Sequence, residues 1–390
     1  MAVLSPDRVR DAITAAGGTS AAGTAALLHA LETAAGDTPP VVAVVRTLAH
    51  AGADGHTVLP LGLVTAMLTG QGATPDQATA AVAQAVDAGH VLAFAAGDVP
   101  AETPDAPAGD VPAGTPGASP APGDALLTLA DIGMAEESVA ESLTQLLATA
   151  DVRIEDRTHG GDATGPGVVD LRTVDVVAAA ALLEQATGAE RVVLVADSAL
   201  PPPPGPGQVG LDLLATAPSL GATVTESPGA AGPVIAGLCA AVRRGTLPPV
   251  DDPTREVVVV RAADAAEAAH RAAQLITDSL PRALGLSGDD VVVITPVRRG
   301  AAGADALRAA GLPAMTVREA LGRTWPGVVA VLPPEACGVL SRPLVYAVFS
   351  RALKHLSIVH AAGPVLARAV RETGSRPRRT RLPALLRAGT

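Results

Sequence analysis

Few residues in this 390-residue chain have the type and spacing to do chemistry. GPGQVG, residues 205–210, fits the Gly-x-Gly-x-x-Gly form, whose glycines let the backbone approach a dinucleotide pyrophosphate at a helix N-terminus. It follows the strand-like run RVVLVAD and opens a helix, and a later run ends in Glu226, as such a site requires. Four prolines, 201–204, stand where the tight turn should be. Dinucleotide binding at Gly205, Gly207 and Gly210 is therefore the alternative and not the leading reading. A phosphate loop, GxxxxGK followed by Ser or Thr, needs a lysine for the β- and γ-phosphates. The only lysine is Lys354, preceded by Leu353, so the chain has no such loop. Eight histidines are scattered, His355 and His360 flank one apolar run, and neither HExxH nor paired Cys/His spacing occurs; no metal is expected. No GxSxG elbow is present, which leaves no serine-hydrolase signal.

The single tyrosine and the single lysine lie together in RPLVYAVFSRALKHLSIV, residues 342–359, with Phe349 and Arg351 between them. Tyr346, Phe349 and Leu353 fall at i, i+3 and i+7, one helix face, so the aromatics read as core. Aromatics are 1% of the chain and hydrophobic residues 48%, so the core must be Ala, Val and Leu. The length suggests two or three domains. Net charge is −11, which argues against a protein whose main affinity is for phosphate backbones. The charge is uneven: no Lys or Arg lies between Arg46 and Arg153, while the last twenty residues hold six arginines against Glu372. Cys239 and Cys337 form no CxxC and read as small buried hydrophobes in a reducing compartment. No apolar run approaches membrane-spanning length and the N-terminus lacks a signal-peptide core, so a cytoplasmic protein is expected.

The elements that must position these residues follow from periodicity. Helices are expected at 5–17, 21–35, 40–51, 61–69 and 75–88, with strands at 55–60 and 90–97, a winged-helix-like order. Its second helix carries Asp76 and Asp87 and no cation, so it reads as a packing or dimerisation module and not as a DNA reader. Residues 99–124 are Pro, Ala, Gly and acid without period, a linker. A helix is expected over 126–150, with Met134, Val139, Leu143 and Leu146 on its apolar face. Then β-branched runs at 167–171, 191–197, 222–226, 256–262, 290–297, 327–334 and 355–360 alternate with Ala-rich helical stretches, the pattern of a parallel sheet covered on both faces.

From about residue 126 onward the chain resembles RecD-like superfamily 1 DNA helicases, and more closely a bacterial helix-hairpin-helix/RecD-like ATPase group. The resemblance rests on RVVLVADSALPPPPGPG, DVVVITPVRRGAAGADAL, TVREALGRTWPGVVAVLPP and SRPLVYAVFSRALKHLSIV, in that order, and more weakly on GHT…GHVLAF and MAEESVAESLTQLL. It implies an α/β fold with RecA-like (P-loop NTPase type) parallel sheets, an all-helical, winged-helix-like N-terminal region, and ATP with Mg²⁺ as the family's cofactors. It places Asp170 at the Walker B position, with Leu171 where a glutamate belongs. Asp197 stands in the following motif, which lacks the γ-phosphate-sensing glutamine. Leu321 falls at another glutamine position, Gly322 is kept, and Gly322 with Thr316 marks the second domain's nucleotide side. Arg351 stands at the arginine-finger position. Only residues 151–166 lie where the family carries its phosphate loop, and an SH3-like insertion is missing.

The expected division is 1–98, helical and winged-helix-like; 99–124, linker; 125–250, a helix plus a truncated first RecA-like domain; 251–372, the second RecA-like domain; and 373–390, a basic tail. The leading expectation is a degenerate helicase relative without bound cofactor, an adaptor or regulator in DNA metabolism. DNA would be met by Arg376, Arg378, Arg379 and Arg381, unless the tail only packs Leu382, Leu385 and Leu386 on the body, and a protein partner or second copy by the acidic N-terminal region. The enzyme alternative is a residual or partner-assisted ATPase using Arg351. Without nucleotide, Arg351 is expected to be solvated, and Tyr346 and Phe349 structural.

Overall fold

The computed structural model describes residues 21–94, 125–157, 165–227 and 231–389. The helix expected at 5–17 and the linker at 99–124 lie outside them. In the N-terminal region α1 (Ala21–Thr33), α2 (Pro39–Ala53), β1 (Leu59–Pro60), α3 (Leu61–Gly70), α4 (Pro75–Asp87) and β2 (Val91–Phe94) follow the expected order. A capping box starts α4: Gln77 N donates to Thr74 Oγ1 at 3.3 Å and Thr74 N to Gln77 Oε1 at 2.9 Å.

Leu126–Leu129, read from the sequence as the start of a helix, is instead strand β3. It pairs antiparallel with β1 and β2 as the middle of a three-stranded sheet. All four residues are buried, and a short apolar run does not reveal by periodicity alone whether it is strand or helix. The expected boundary at 125 therefore cuts through this sheet. The helix, α5, runs Ala130–Thr149. Val139, Leu143 and Leu146 are buried in it, but Met134, expected on the same face, is 55% exposed.

Four parallel strands follow: β4 (Asp151–Arg157), β5 (Val168–Asp170), β6 (Arg191–Ala196) and β7 (Val224–Ser227), in the order β5-β6-β4-β7. Sequence reading missed β4, because DVRIEDR is mostly charged. Its Glu155 and Asp156 are nevertheless buried at the carboxyl end of the sheet. Helices α6 (Val176–Ala186) and α7 (Val209–Thr216) join α5 around this sheet, and one continuous core runs from the N-terminal helices into it.

The second parallel sheet has five strands, β8 (Val257–Arg261), β9 (Val291–Thr295), β10 (Ala314–Thr316), β11 (Trp325–Leu332) and β12 (Ala352–His360), in the order β10-β9-β11-β12-β8. The four runs expected to form one parallel sheet do so, and β10 adds an unforeseen edge. Helix α8 (Pro233–Arg243) precedes the expected boundary at 250. It nonetheless packs Ile235, Leu238, Cys239 and Val242 into the second core, against α13 (Arg342–Phe349). Helix α9 (Ala265–Gln274) runs through a π-helical turn, Leu275–Ser279, into α10 (Leu280–Leu284). Helices α11 (Ala304–Ala309), α12 (Val317–Ala320) and α14 (Pro364–Glu372) complete this half. Last, α15 (Leu382–Ala388) returns to the first half and packs on α5 and α7. No described helix is long and apolar enough to cross a membrane.

Candidate functional site

In open α/β sheets, ligands bind in the crevice beyond the carboxyl ends of the strands. In the first sheet those ends carry Asp156 on β4, Asp170 on β5, and Asp197 and Ser198 after β6. The second half faces them with α13 and α8. The fold brings three sequence-chosen residues, Asp170, Asp197 and Arg351, to this one crevice.

Asp197 and Arg351 are buried, and Asp170, 31% exposed at its side chain, is held in an ion pair. Asp170 is held by Arg172, whose Nε donates to Oδ1 at 2.9 Å and Nη2 to Oδ2 at 2.7 Å, with the Arg172 amide on Oδ1 at 3.0 Å. The Arg172 side chain is 1% exposed. A carboxylate bound in this bidentate way is already neutralised. Asp197 is buried and accepts from Ala199 N at 3.0 Å and from the Tyr346 hydroxyl at 2.9 Å. The second bond crosses from α13 to the first sheet. Burial pushes the Asp197 carboxyl up to about 6.

Arg351 is 1% exposed, which overturns the expectation of a solvated finger. It sits just past the end of α13, and its backbone carbonyl accepts from Trp325 N at 2.9 Å. Its Nη2 donates to Ser350 Oγ at 3.0 Å and its Nη1 reaches Arg323 O at 3.5 Å, while Nε finds no partner. Burial lowers its pKa, opposed by the charge of Asp197 nearby. Cys239 closes the same interior, and burial pushes its thiol up to about 12. Leu353 does not extend the aromatic helix face, because α13 ends at Phe349 and Leu353 is already in β12. Lys354 is exposed.

Beside this core, Ser198 donates through N and Oγ to Asp156 at 3.0 and 2.7 Å, and Arg243 Nη2 reaches Ser198 Oγ at 3.1 Å. Sequence reasoning missed Asp156 and Arg243, since no spacing links residues 42 and 87 positions apart, and it passed over Arg172, although Arg172 lies only two residues from Asp170. Thr316 and Gly322, chosen as nucleotide contacts, have local roles. Thr316 caps α12 in a capping box with Glu319, and Gly322 turns the chain at φ 78°.

The glycine loop is occupied by the protein itself. Gly207 N donates to Gly55 O at 2.9 Å, and Arg378 Nη1 donates to the carbonyls of Gly205 and Gly207 at 3.1 and 2.6 Å. Gly207 adopts φ 84°, and a Cβ there would lie 2.9 Å from Val176 Cβ; its backbone conformation and packing account for the glycine without a ligand. A pyrophosphate would have to displace Arg378 and Gly55.

Of the two readings of the tail, a free cationic arm or a segment packed through its leucines, the structure shows the second, with Leu382 and Leu386 buried. Arg381 is buried, its guanidinium lies over the Phe94 ring, and it pairs with Glu137 at 3.0 Å. Arg378 is half-buried in the glycine loop. The Arg379 amide donates to His56 Nδ1 at 3.0 Å, and its carbonyl accepts from Thr57 N at 2.8 Å. Glu136, which is completely buried, receives Arg381 N at 2.7 Å, Leu382 N at 3.0 Å and Thr57 Oγ1 at 2.9 Å on one oxygen. Of the four tail arginines named, Arg376 alone is exposed. Among the described residues no cluster of three or more His, Cys, Asp or Glu could hold a metal ion.

No family model matches this chain, and no curated protein is similar to it. Among solved structures it is similar to the helicase of an arterivirus, nonstructural protein 10, at 15% identity and TM-score 0.32, over 63% of this chain and 68% of that one. The same helicase in complex with DNA gives 15% identity and TM-score 0.31, over 64% and 70%. A likeness at that level carries no activity over to this chain.

Proposed function

We propose that this protein is a non-hydrolysing relative of superfamily 1 helicases, a scaffold of two RecA-like layers with the first truncated, acting as an adaptor or regulator in DNA metabolism. One observation carries the non-hydrolysing part. The crevice between the two parallel sheets is filled by the chain's own groups, with Tyr346 bonded to Asp197 and Arg351 buried behind them. Hydrolysis of a nucleoside triphosphate needs a lysine and free carboxylates around Mg²⁺. The only lysine is exposed on β12 and belongs to no phosphate loop, and Asp170 is paired with Arg172. A partner-assisted ATPase would need Arg351 to reach a neighbour's phosphate, which its burial opposes. The helicase link and the setting in DNA metabolism rest on the sequence motifs.

Two measurements test this reading. Steady-state ATP hydrolysis with and without DNA is expected at background, since loss of even one transition-state contact costs about 10²–10³ in rate. Calorimetry with ATP, ADP and NAD is expected to give no heat of binding. DNA-stimulated turnover that persists through repurification would refute it.

A further inference from the structure

The second sheet ends on an edge with the means to pair. In β8 the alternation of hydrogen bonds toward β12 is fixed by Leu356 N to Glu256 O at 2.8 Å and Ala262 N to His360 O at 3.1 Å. Residues 256, 258, 260 and 262 therefore bond inward, and the N–H and C=O groups of Val257, Val259 and Arg261 point away from the sheet. Asp252 Oδ2 takes the Val257 amide at 2.9 Å, which blocks one donor and leaves those of Val259 and Arg261. Val259 is 40% exposed and Leu284, on α10, 41%. Beside the strand lies a groove of about 410 Å³ between Val258 and the α10 wall of Leu280, Ala283 and Leu284. An apolar edge strand next to such a groove is a template for an added strand: backbone bonds supply the pairing and alternate side chains enter the groove.

Charge selects the occupant. The edge is net acidic before the strand, where Asp251, Asp252 and Glu256 outweigh Arg255, and basic at its end, at Arg261. An antiparallel guest must carry acid, then an apolar β-forming run, then a cation. The chain's own DDPTREVVVVR, 251–261, has that order. We propose that a second copy of this chain docks here, β8 against β8, antiparallel about a two-fold axis at Val259, joining the two five-stranded sheets into one. Val259 exchanges both backbone bonds with its counterpart. Each Arg261 amide meets the opposite Val257 carbonyl and brings its guanidinium toward the opposite Asp252. Val258 and Val260, on the other face of the strand, enter the partner's groove. The interface is separate from the acidic N-terminal region and does not depend on the proposed function.

The test is the oligomeric state of the full chain by sedimentation equilibrium. The wild type is expected as a dimer. Val259→Pro is expected as a monomer with unchanged circular dichroism, since a proline whose missing N–H faced solvent leaves the β12 ladder intact. Val259→Lys gives the same reading if the proline variant fails to fold, and Arg261→Glu, which sets acid against Asp252, is expected to shift the equilibrium to monomer. With Cys337→Ser as background, Val259→Cys is expected to cross-link to itself on oxidation. A wild type that is monomeric at every concentration reached overturns the proposal. So does a dimer that survives both Val259 substitutions, which would use another surface.

Discussion

At the scale of the residue, Arg351 shows how far burial can separate a side chain from the role expected of it. Expected from the sequence resemblance at an arginine-finger position, its guanidinium is buried beside Asp197, Tyr346 and Cys239. Removing one member of a buried charged set is costly, because the remaining charge loses its compensation. Arg351→Ala is therefore expected to destabilise by about 3–5 kcal/mol, as much as Phe349→Ala, for which truncating a buried aromatic costs about 3–5 kcal/mol. Thermal melts of the two variants side by side check this. An Arg351→Ala variant that melts with the wild type would mean that the guanidinium leaves the interior freely, and would revive the trans-acting reading.

At the scale of the element, the C-terminal strap is a clasp. Leu382 and Leu386 are buried in the first core, and the start of α15 is held by a glutamate 245 residues away in sequence. Glu136→Ala would leave the Arg381 and Leu382 amides without their acceptor, while the Thr57 hydroxyl keeps the Arg379 carbonyl at 3.3 Å, an expected cost of about 1–3 kcal/mol for an unsatisfied buried group. Deleting 373–390 is expected to lower the Tm of the whole first half. Six free arginines would give DNA binding a log–log salt slope of about −5 on duplex. With Arg378 and Arg381 tied down and Arg379 held through its backbone, at most Arg371, Arg376 and Arg387 are exposed, and Arg371 already lies 3.4 Å from the Glu372 carboxylate. Any affinity of the folded chain is thus expected to show a slope no steeper than about −3, read from binding titrations across a salt series.

At the scale of the whole molecule, buried carboxylates set an unusual pH dependence. Burial pushes Glu136 up to about 7 and Asp197 and Asp212 up to about 6. A folded-state value above the unfolded one favours the protonated acid in the fold, so each adds stability as pH falls through that value, and withdraws it as pH rises. His56 acts in the opposite sense: burial first, then the Arg379 charge, pulls it down to about 4, so stability is lost below its ordinary 6.5 as the unfolded imidazole takes a proton. Between pH 8 and 6.5 the glutamate dominates. The Tm of the wild type is expected to rise over that interval on acidification, and Glu136→Gln, which keeps an acceptor and removes the titration, to flatten the rise.

Much of this architecture was legible in the sequence, because its signals are local. The β-branched runs of the second half fixed four of five strands, since parallel strands buried on both faces must be apolar along their whole length. The described helices of the N-terminal region, from residue 21 on, followed from their period, and the one cap named there from Thr74 and Pro75. The lack of a phosphate loop followed from a single lysine in the wrong place. What needed the fold was whatever depends on neighbours distant in sequence. DVRIEDR reads as polar until β6 and β7 flank it and bury its acids. LLTL reads as helix until β1 and β2 claim it. The tail reads as a free cationic arm until Glu136 and Glu137 meet it. Arg351 and Asp197 read as remnants of chemistry, and only the tertiary structure turned them inward, because a buried charge is tolerated where other groups supply its hydrogen bonds and counter-charge, and no local pattern encodes partners such as Tyr346, 149 residues from Asp197.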